Sequence, residues 1–326
     1  MNSNKKNVKI AIVDFWKNVP TATLERYLSP FRHWYNVEID EKNPDILLYS
    51  CFGEKHLNYD CKRVFVCGEN VVPDFNTCDY SICTVNIKYE GKNLWIPESY
   101  FTHREHKVQL DSSPDEMLNR KFCSFIYSQD NVGYGAKLRK EFCLKLMQYK
   151  HIDCPGKILH NYESPELSAR NNVSWHLSKI AFLKNYKFNI AFENSEAPGY
   201  ITEKLADCYI SNTVPIYWGS RGNIEPYTKE SMIYANDYAS IDDLIEKVKE
   251  VDSNEELYLN ILRANPLYKE NANFPNFHIQ MQDFAKKIVE ENDILSHRYE
   301  LTDSYRYAKF LKRRFWNSIR SLFKSN

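Results

Sequence analysis

Two charged residues at the predicted start of a helix, Glu203 and Lys204, are the strongest candidates for chemistry in this sequence. The loop before them carries Asn194, Ser195 and Tyr200. A helix N-terminus attracts phosphate through its free N–H groups and its dipole. A lysine placed there can neutralise a diphosphate, and a glutamate can bind sugar hydroxyls or face a developing cation. The same pair could equally be an ordinary first-turn acid and a solvated lysine, and spacing alone leaves both interpretations open.

The surrounding pattern predicts a strand–loop–helix–strand unit that would position these residues. Residues 186–193 alternate between apolar and polar side chains, which predicts a strand with one face packed on a core. Thr202 suits the N-cap of a helix that ends near Ser211, and an apolar run at 214–218 predicts the next strand. Ligands of such a unit lie beyond the carboxyl ends of the strands. Neither a GxGxxG nor a P-loop motif is present, which argues against a dinucleotide oxidoreductase or a P-loop NTPase.

The remaining elements predict a mainly parallel, buried sheet in each half of an α/β chain. Short apolar runs separated by helical or turn segments occur at 8–14, 45–50, 63–67, 80–83 and 122–127. Helices are expected near 23–28, after 135, and at 174–185, 241–251 and 277–291, and an extended loop at 102–119. We therefore predict an N-terminal domain at 1–120, a second domain at 121–300 and a separate tail at 301–326.

Composition bounds the class of protein. The 326 residues include 43 Lys plus Arg and 43 Asp plus Glu, so no global charge indicates a nucleic-acid partner. The nine cysteines are an odd number without metal-ligand or redox spacing, which favours reduced structural thiols in a cytoplasm. Residues 1–9 are polar and the first apolar run covers only 10–13, so we expect neither a signal peptide nor a membrane anchor at this end.

Several motifs resemble the α1,3-fucosyltransferases of glycosyltransferase family 10. They are FNIAFENS at 188–195, GYITEKL at 199–205, TVPIYWG at 213–219, CGEN at 67–70 with Pro73, Phe75, Asn76, Asp79 and Tyr80 beyond it, and FCSFIYS at 122–128. The resemblance spans roughly residues 60–290. It implies a GT-B fold, in which two Rossmann-like domains face a cleft, and the chain would add a basic amphipathic C-terminal helix.

The resemblance also implies roles in the transfer of L-fucose from GDP-β-L-fucose with inversion. Glu69, in the CGEN segment, would be the catalytic base. Glu203 would oppose positive charge at the fucose ring, and Lys204 would bind the diphosphate. Asn194 and Tyr200 would hold the nucleotide or the sugar.

The family also binds the phosphates through an arginine that follows the strand at 122–128. Arg139 is the expected equivalent, and Lys137 is its rival because the intervening loop is longer here. The donor segment has no acidic metal-binding pair, so we predict that no metal is essential, with Mg²⁺ or Mn²⁺ at most stimulatory.

The implied acceptor is the 3-OH of GlcNAc in a surface glycan, such as the LacNAc- or Lewis-type chains of a lipopolysaccharide O-antigen. Two alternatives stay open. The chain could be a GT-B transferase for another sugar nucleotide, or a catalytically inactive, membrane-associated protein that binds glycans or nucleotides.

The C-terminal tail predicts attachment to a membrane surface. After Asp303 it has no acidic residue, and basic side chains such as Arg313 and Arg314 alternate with apolar ones such as Phe315 and Ile319. A basic amphipathic helix of this kind binds anionic lipid, and bacterial relatives carry similar tails. A terminal helix packed on the core with a solvated basic side is the alternative. The prediction is a cytoplasmic protein, peripheral on the inner face of the membrane.

Overall fold

The structure is a computed structural model that describes most of the chain. The described residues are 5–103, 108, 112–131, 133–168, 174–222, 224–268 and 274–291. The predicted amphipathic tail at 301–326 lies outside them.

Eleven strands and nine α-helices occur in the described residues. The strands are β1 Asn7–Val13, β2 Asn36–Ile39, β3 Ile46–Tyr49, β4 Lys62–Cys67, β5 Tyr80–Cys83, β6 Asn93–Trp95, β7 Lys121–Ser124, β8 Ile152–Asp153, β9 Tyr186–Phe192, β10 Val214–Trp218 and β11 Ile233–Tyr234. The helices are α1 Thr21–Trp34, α2 Glu98–His103, α3 Pro114–Leu118, α4 Gly133–Leu146, α5 Trp175–Leu183, α6 Glu203–Ile210, α7 Ile241–Ser253, α8 Glu255–Arg263 and α9 Phe277–Glu290.

The chain forms two compact units, and each contains one sheet. The described parts of 5–83, 88–94 and 277–291 form the first unit, and those of 84–87 and 95–276 form the second. The change from one unit to the other therefore falls at 84–95 rather than at 120, and α9 belongs to the first unit. Apolar periodicity marks each element but does not reveal which sheet a distant helix joins. For α9 the partners are in the first unit, where Lys62 Nζ donates to the Ile288 carbonyl at 2.6 Å.

The first unit is built on a six-stranded sheet in the order β2-β1-β3-β4-β5-β6. The pairs from β2 through β5 are parallel, as predicted. The four apolar runs predicted here as strands are confirmed as β1, β3, β4 and β5. Strand β2 was not predicted, because it is an edge strand without a fully buried residue and so carries no apolar run.

The second unit is built on a five-stranded sheet in the order β11-β10-β9-β7-β8, with every pair parallel. From β7 the chain moves outward to β8 and then crosses to β9 on the other side of β7. The strand order therefore reverses between β7 and β9. In open α/β sheets this reversal opens a crevice at the carboxyl ends of the strands, where ligands bind.

Strand β9 differs from its prediction because all seven residues are buried, not one face alone. Its polar side chains have buried partners. Lys187 Nζ lies 2.8 Å from Asp252 Oδ1, and Asn189 Oδ1 accepts from the Ser124 hydroxyl at 2.9 Å. Alternation of polar and apolar residues indicates a solvated face only when the polar groups have no partner in the fold.

Two further differences concern short helices. The segment predicted as a loop at 102–119 contains α3, which begins with a capping box. The Ser113 side chain accepts from the Glu116 N–H at 3.3 Å, and the Glu116 carboxylate accepts from the Ser113 N–H at 2.9 Å. Helix α8 was not predicted, although Asn254 caps its start.

All nine cysteines are described and are free thiols, seven of them buried. Within the described residues, no helix is both long and apolar enough to cross a membrane.

Candidate active site

A cavity of about 360 Å³ lies in the second unit, at the reversal of strand order. Its walls come from the segments that follow the three strands β7, β8 and β9, and from helices α4, α5 and α6. The polar and charged residues that line it include Gln129, Arg139, Ser164, Lys179, Asn194, Glu203 and Lys204. Four of the six residues that the sequence singled out are therefore brought together here.

Arg139 is fixed in the cavity wall by three contacts. Its Nη1 donates to Asn194 Oδ1 and its Nη2 to the Gln129 carbonyl, each at 2.7 Å. The guanidinium also stacks on the Tyr127 ring, 3.9 Å from its centre. Lys137, the rival of Arg139, is exposed and does not line the cavity.

Gly135 explains why Arg139 can reach this position. Its N–H donates to the Asn194 carbonyl at 3.0 Å, which brings the start of α4 against the end of β9. A Cβ at this position would lie 2.2 Å from the Glu193 carbonyl oxygen, so a larger residue would force the two segments apart.

Two buried side-chain polar atoms in the described residues have no hydrogen-bond partner, and both belong to residues of the cavity wall. They are Arg139 Nε and Ser164 Oγ. A buried donor without a partner costs free energy unless a ligand or water satisfies it. The fixed guanidinium therefore places a positive charge in the cavity wall, and that charge favours an anionic ligand.

Lys204, whose side chain is 15% exposed, forms an ion pair with Glu193, whose side chain is fully buried. The lysine Nζ lies 3.0 Å from Glu193 Oε2. The Glu193 carboxylate also accepts two hydrogen bonds from Thr202, one from its N–H at 2.8 Å and one from its hydroxyl. Thr202 is the N-cap of α6, as predicted, since its side chain accepts a hydrogen bond from the Lys204 N–H. Burial raises the pKa of the Glu193 carboxyl, although Lys204 opposes that effect.

Glu203 occupies the first turn of α6 with its side chain 42% exposed. Its N–H donates to Glu98 Oε2 at 3.1 Å, and its carboxylate lies 3.7 Å from Lys204 Nζ. Burial alone would raise the pKa of Glu203, but the charges of Lys204 and Lys179 outweigh it and lower the pKa to about 2. The carboxylate at the cavity is therefore an anion at neutral pH.

The other two predicted residues lie elsewhere. Tyr200 is buried in the loop before α6, is not part of the cavity wall, and its carbonyl accepts from the Tyr217 hydroxyl at 3.3 Å. Glu69 belongs to the first unit, where it follows β4 with an exposed side chain. Its N–H donates to Cys67 Sγ at 3.3 Å. The catalytic role of Glu69 and the binding role of Tyr200 stay predictions.

Sequence reasoning missed Glu193, Lys179 and Asp207 as part of this site. Glu193 closes the β9 alternation and was counted as a polar-face residue. Asp207 stands four residues after Glu203, on the same face of α6, which was the available signal. Lys179 carried no signal, because its position depends on how α5 packs on α6. Among the described residues, no group of three or more His, Cys, Asp or Glu side chains is placed to hold a metal ion.

Comparison with known proteins identifies the family. The model of the α-(1,3)-fucosyltransferase FucT N-terminal domain matches residues 10–103, and that of the glycosyltransferase family 10 (fucosyltransferase) C-terminal domain matches 118–297. The α-(1,3)-fucosyltransferase FucT of Helicobacter pylori is 28% identical over 89% of this chain and 67% of its own length. A putative fucosyltransferase of Acanthamoeba polyphaga mimivirus is 28% identical over 80% of this chain, which covers only 42% of that protein.

Solved structures show the same fold. A crystal structure of an α1,3-fucosyltransferase matches with a TM-score of 0.73 and 24% identity over 90% of this chain and 93% of the other. Another, with GDP-fucose, matches with a TM-score of 0.71 and 23% identity over 90% and 94% of the two chains. The fold is thus the α/β GT-B class that the sequence predicted. Since the family 10 model covers more than half of its length, the chain belongs to glycosyltransferase family 10, the fucosyltransferase family.

Proposed function

We propose that this fucosyltransferase moves L-fucose from GDP-β-L-fucose to the 3-OH of GlcNAc in a surface glycan, with inversion at the anomeric carbon. The proposed acceptor is a LacNAc- or Lewis-type chain, such as that of a lipopolysaccharide O-antigen. One observation carries the donor half of this proposal. The cavity combines an anionic Glu203 at a helix start with two cations, the buried Arg139 and the partly buried Lys204.

The cations suit a diphosphate leaving group. Arg139 is held by Asn194 and Gln129, so its guanidinium is positioned before any ligand arrives. Preorganised donors of this kind stabilise charge that develops in a transition state without further reorganisation. Lys204 adds a second positive charge at the N-terminus of α6, where the helix dipole also favours phosphate.

The reaction would proceed by one displacement. The Glu69 carboxylate accepts the proton of the acceptor hydroxyl while that oxygen attacks the fucose anomeric carbon and the bond to the diphosphate breaks. Glu203 opposes the positive charge that builds on the sugar ring, and Arg139 and Lys204 stabilise the departing GDP. Asn194 and Tyr200 would support the nucleotide or the sugar, with Tyr200 acting from behind the cavity wall. No step requires a metal ion, and Mg²⁺ or Mn²⁺ would at most stimulate turnover.

We further propose that the basic tail at 301–326 holds the enzyme on the cytoplasmic face of the inner membrane. The proposal is supported by composition, since basic and apolar residues alternate without an acid after Asp303. Attachment there would bring the enzyme to lipid-linked acceptors.

A donor screen tests the function. The protein is incubated with an N-acetyllactosamine acceptor and with GDP-fucose, GDP-mannose, UDP-galactose or UDP-GlcNAc, and nucleoside diphosphate release and glycan product are measured. We expect product from GDP-fucose alone. Product from another sugar nucleotide would support the alternative transferase. GDP binding without release or product from any donor would support an inactive binding protein.

A further inference from the structure

Two thiols meet at the carboxyl end of the sheet in the first unit. Cys67 is the last residue of β4, and Cys51 lies two residues beyond the end of β3. These parallel strands pair with Tyr49 opposite Phe65, so the two cysteines stand at equivalent positions two residues further on. Their Sγ atoms lie 3.6 Å apart. Neighbouring strands are about 4.8 Å apart, which falls within the Cα separation of about 4.4–6.8 Å that disulfides span. The pair is therefore placed for a disulfide.

Cys51 is the member of the pair that solvent reaches. Among the nine cysteines, Cys51 and Cys61 are half-buried, and the other seven, including Cys67, are buried. The Cys67 thiol donates a hydrogen bond to Cys51 Sγ, and this bond lowers the pKa of the Cys51 thiol. Because the thiolate is the form that reacts with oxidants, Cys51 is the partner that an oxidant attacks first.

The sulfur of Cys67 also contacts the main chain of Glu69. It accepts a hydrogen bond from the Glu69 N–H at 3.3 Å, and the thiol lies 3.8 Å from the Glu69 carbonyl oxygen. The position of this sulfur is therefore linked directly to the backbone that carries the Glu69 carboxylate.

A disulfide between the two cysteines would disturb that backbone. The sulfurs would have to close from 3.6 Å to bonding distance, which shifts the Cys67 sulfur relative to the Glu69 N–H. The bonded sulfur would also lack the hydrogen that the thiol carries next to the Glu69 carbonyl. A displacement of a catalytic group by about 1 Å lowers turnover about a hundredfold.

We propose that Cys51 and Cys67 are an oxidative modification site, where a reversible disulfide displaces Glu69 and so lowers the activity of the enzyme. The effect on activity rests on the proposed function, in which the Glu69 carboxylate accepts the proton of the acceptor hydroxyl. The oxidant is a hydroperoxide, and hydrogen peroxide is its simplest form.

The chemistry has two steps. The Cys51 thiolate attacks one oxygen of hydrogen peroxide, the O–O bond breaks, and a sulfenic acid and one water form after proton transfer. The Cys67 sulfur then attacks the Cys51 sulfur, the S–S bond forms, and the sulfenic oxygen leaves as a second water. Overall, two thiols lose two electrons and two protons, and the peroxide is reduced to two waters. An external dithiol reverses the modification by thiol–disulfide exchange.

Cys83 is the other cysteine that stands beside Cys67, since the two are register partners in β4 and β5. Its thiol donates to Asn93 Oδ1 at 3.2 Å, and the residue is buried. Cys83 is thus directed to another partner and is shielded from the oxidant. These contacts favour Cys51 as the partner of Cys67 in the disulfide.

The test treats the reduced full chain with hydrogen peroxide and measures both the disulfide and the activity. Remaining thiols are blocked, and peptides are analysed by mass spectrometry without reduction. We expect a Cys51–Cys67 linkage, a fall in kcat of at least about tenfold, and recovery in dithiothreitol. The KM for GDP-fucose should change less than about twofold, because Glu69 acts on the acceptor.

Substitutions of two cysteines with similar exposure provide the comparison. Cys51→Ser should resist peroxide, with Cys51→Ala as a second replacement, and Cys61→Ser should be inactivated like the wild type. Cys61 is a matched control because it is half-buried but precedes β4, at the opposite end of that strand from Cys67. The activity of each variant is expressed relative to its own reduced form.

Three results would overturn the proposal: no Cys51–Cys67 linkage, a linkage that leaves kcat unchanged, or equal inactivation of Cys51→Ser and the wild type. If the reduced wild type transfers no fucose, the proposed function fails, but the inference is still decided by NMR. The Glu69 amide resonance, assigned with Glu69→Gln in protein labelled with ¹⁵N-glutamate, is compared before and after oxidation. A shift that accompanies the disulfide supports displacement of Glu69, and an unchanged resonance refutes it.

Discussion

Substitution of the buried Glu193 tests the charge arrangement that supports the site. The carboxylate accepts from the Thr202 N–H and hydroxyl and from Lys204 Nζ, and it is fully buried. Glu193→Gln keeps one acceptor oxygen, which can still serve Thr202. It removes the charge and leaves Lys204 with Glu203, 3.7 Å away, as its ion-pair partner in the described structure.

The size of the effect follows from burial. Removing one partner of a buried pair costs about 3–5 kcal/mol when the remaining charge is left without compensation, and the contact of Lys204 with Glu203 should keep the cost of Glu193→Gln near the lower end of that range. Replacing both partners costs far less, so Glu193→Gln combined with Lys204→Met should recover most of the loss. The double-mutant cycle should therefore show a coupling of about 2–3 kcal/mol between the two residues.

The pH dependence of the stability of Lys204→Met tests the direction in which burial shifts the pKa of Glu193. Burial already raises the pKa of the Glu193 carboxyl in the folded protein, and removal of the lysine raises it further. A carboxyl with a raised pKa contributes stability that is present at low pH and is lost as the pH rises through the folded value. Lys204→Met should therefore be closest to wild type at about pH 5 and fall behind at about pH 8.

Urea denaturation at the two pH values, followed by tryptophan fluorescence, measures these differences. Lys187→Gln or a similar distant variant gives the baseline for loss of a buried lysine. Additive effects in the cycle, or a cost of Lys204→Met that is the same at both pH values, would refute the account of Glu193 and Lys204 as one buried unit.

Four further predictions concern the donor, the base, the metal and the tail. Arg139→Lys should weaken GDP binding in calorimetry by about 2 kcal/mol, or about thirtyfold, because it loses the guanidinium fork; Arg120→Lys, outside the cavity, should not. Glu69→Gln should lower turnover by at least about a hundredfold with GDP affinity kept, whereas the exposed Glu41→Gln should be near normal; normal turnover in Glu69→Gln contradicts the base assignment. Turnover should persist in excess EDTA, and a full loss that Mn²⁺ restores would contradict the metal-independent mechanism. Deletion of 305–326 should abolish co-sedimentation with anionic vesicles and spare activity on a soluble acceptor; unchanged co-sedimentation rejects the anchor.

The strands and helices that form the site were predicted from the sequence better than the contacts between their side chains. Helix α6 begins at Glu203 and Lys204 with Thr202 as its N-cap, which the capping pattern and the motif spacing both predicted. Strand β4 is mostly a continuous run of apolar residues. Strand β9 alternates apolar residues with polar residues that have buried partners. Their existence was therefore predictable, but the full burial of β9 was not.

The contacts that sequence could not predict depend on packing between distant elements. Lys179 meets Asp207 only because α5 packs on α6, and no spacing rule relates the two positions. Arg139 lines the cavity whereas Lys137 is exposed, and this arrangement depends on the close packing of α4 on the end of β9 at Gly135. Helix α9 joins the first unit through contacts such as that of Lys62, more than two hundred residues earlier in the chain.

The central claim is fucosyl transfer to O3 of GlcNAc, and the linkage of the product tests it most directly. The protein is incubated with GDP-β-L-fucose and, separately, with N-acetyllactosamine and lacto-N-biose, and each product is examined by NMR. The account predicts an α-linked fucose on O3 of the GlcNAc of N-acetyllactosamine. A β-linked product, a product fucosylated at another position only, or GDP release without any glycan product would contradict it.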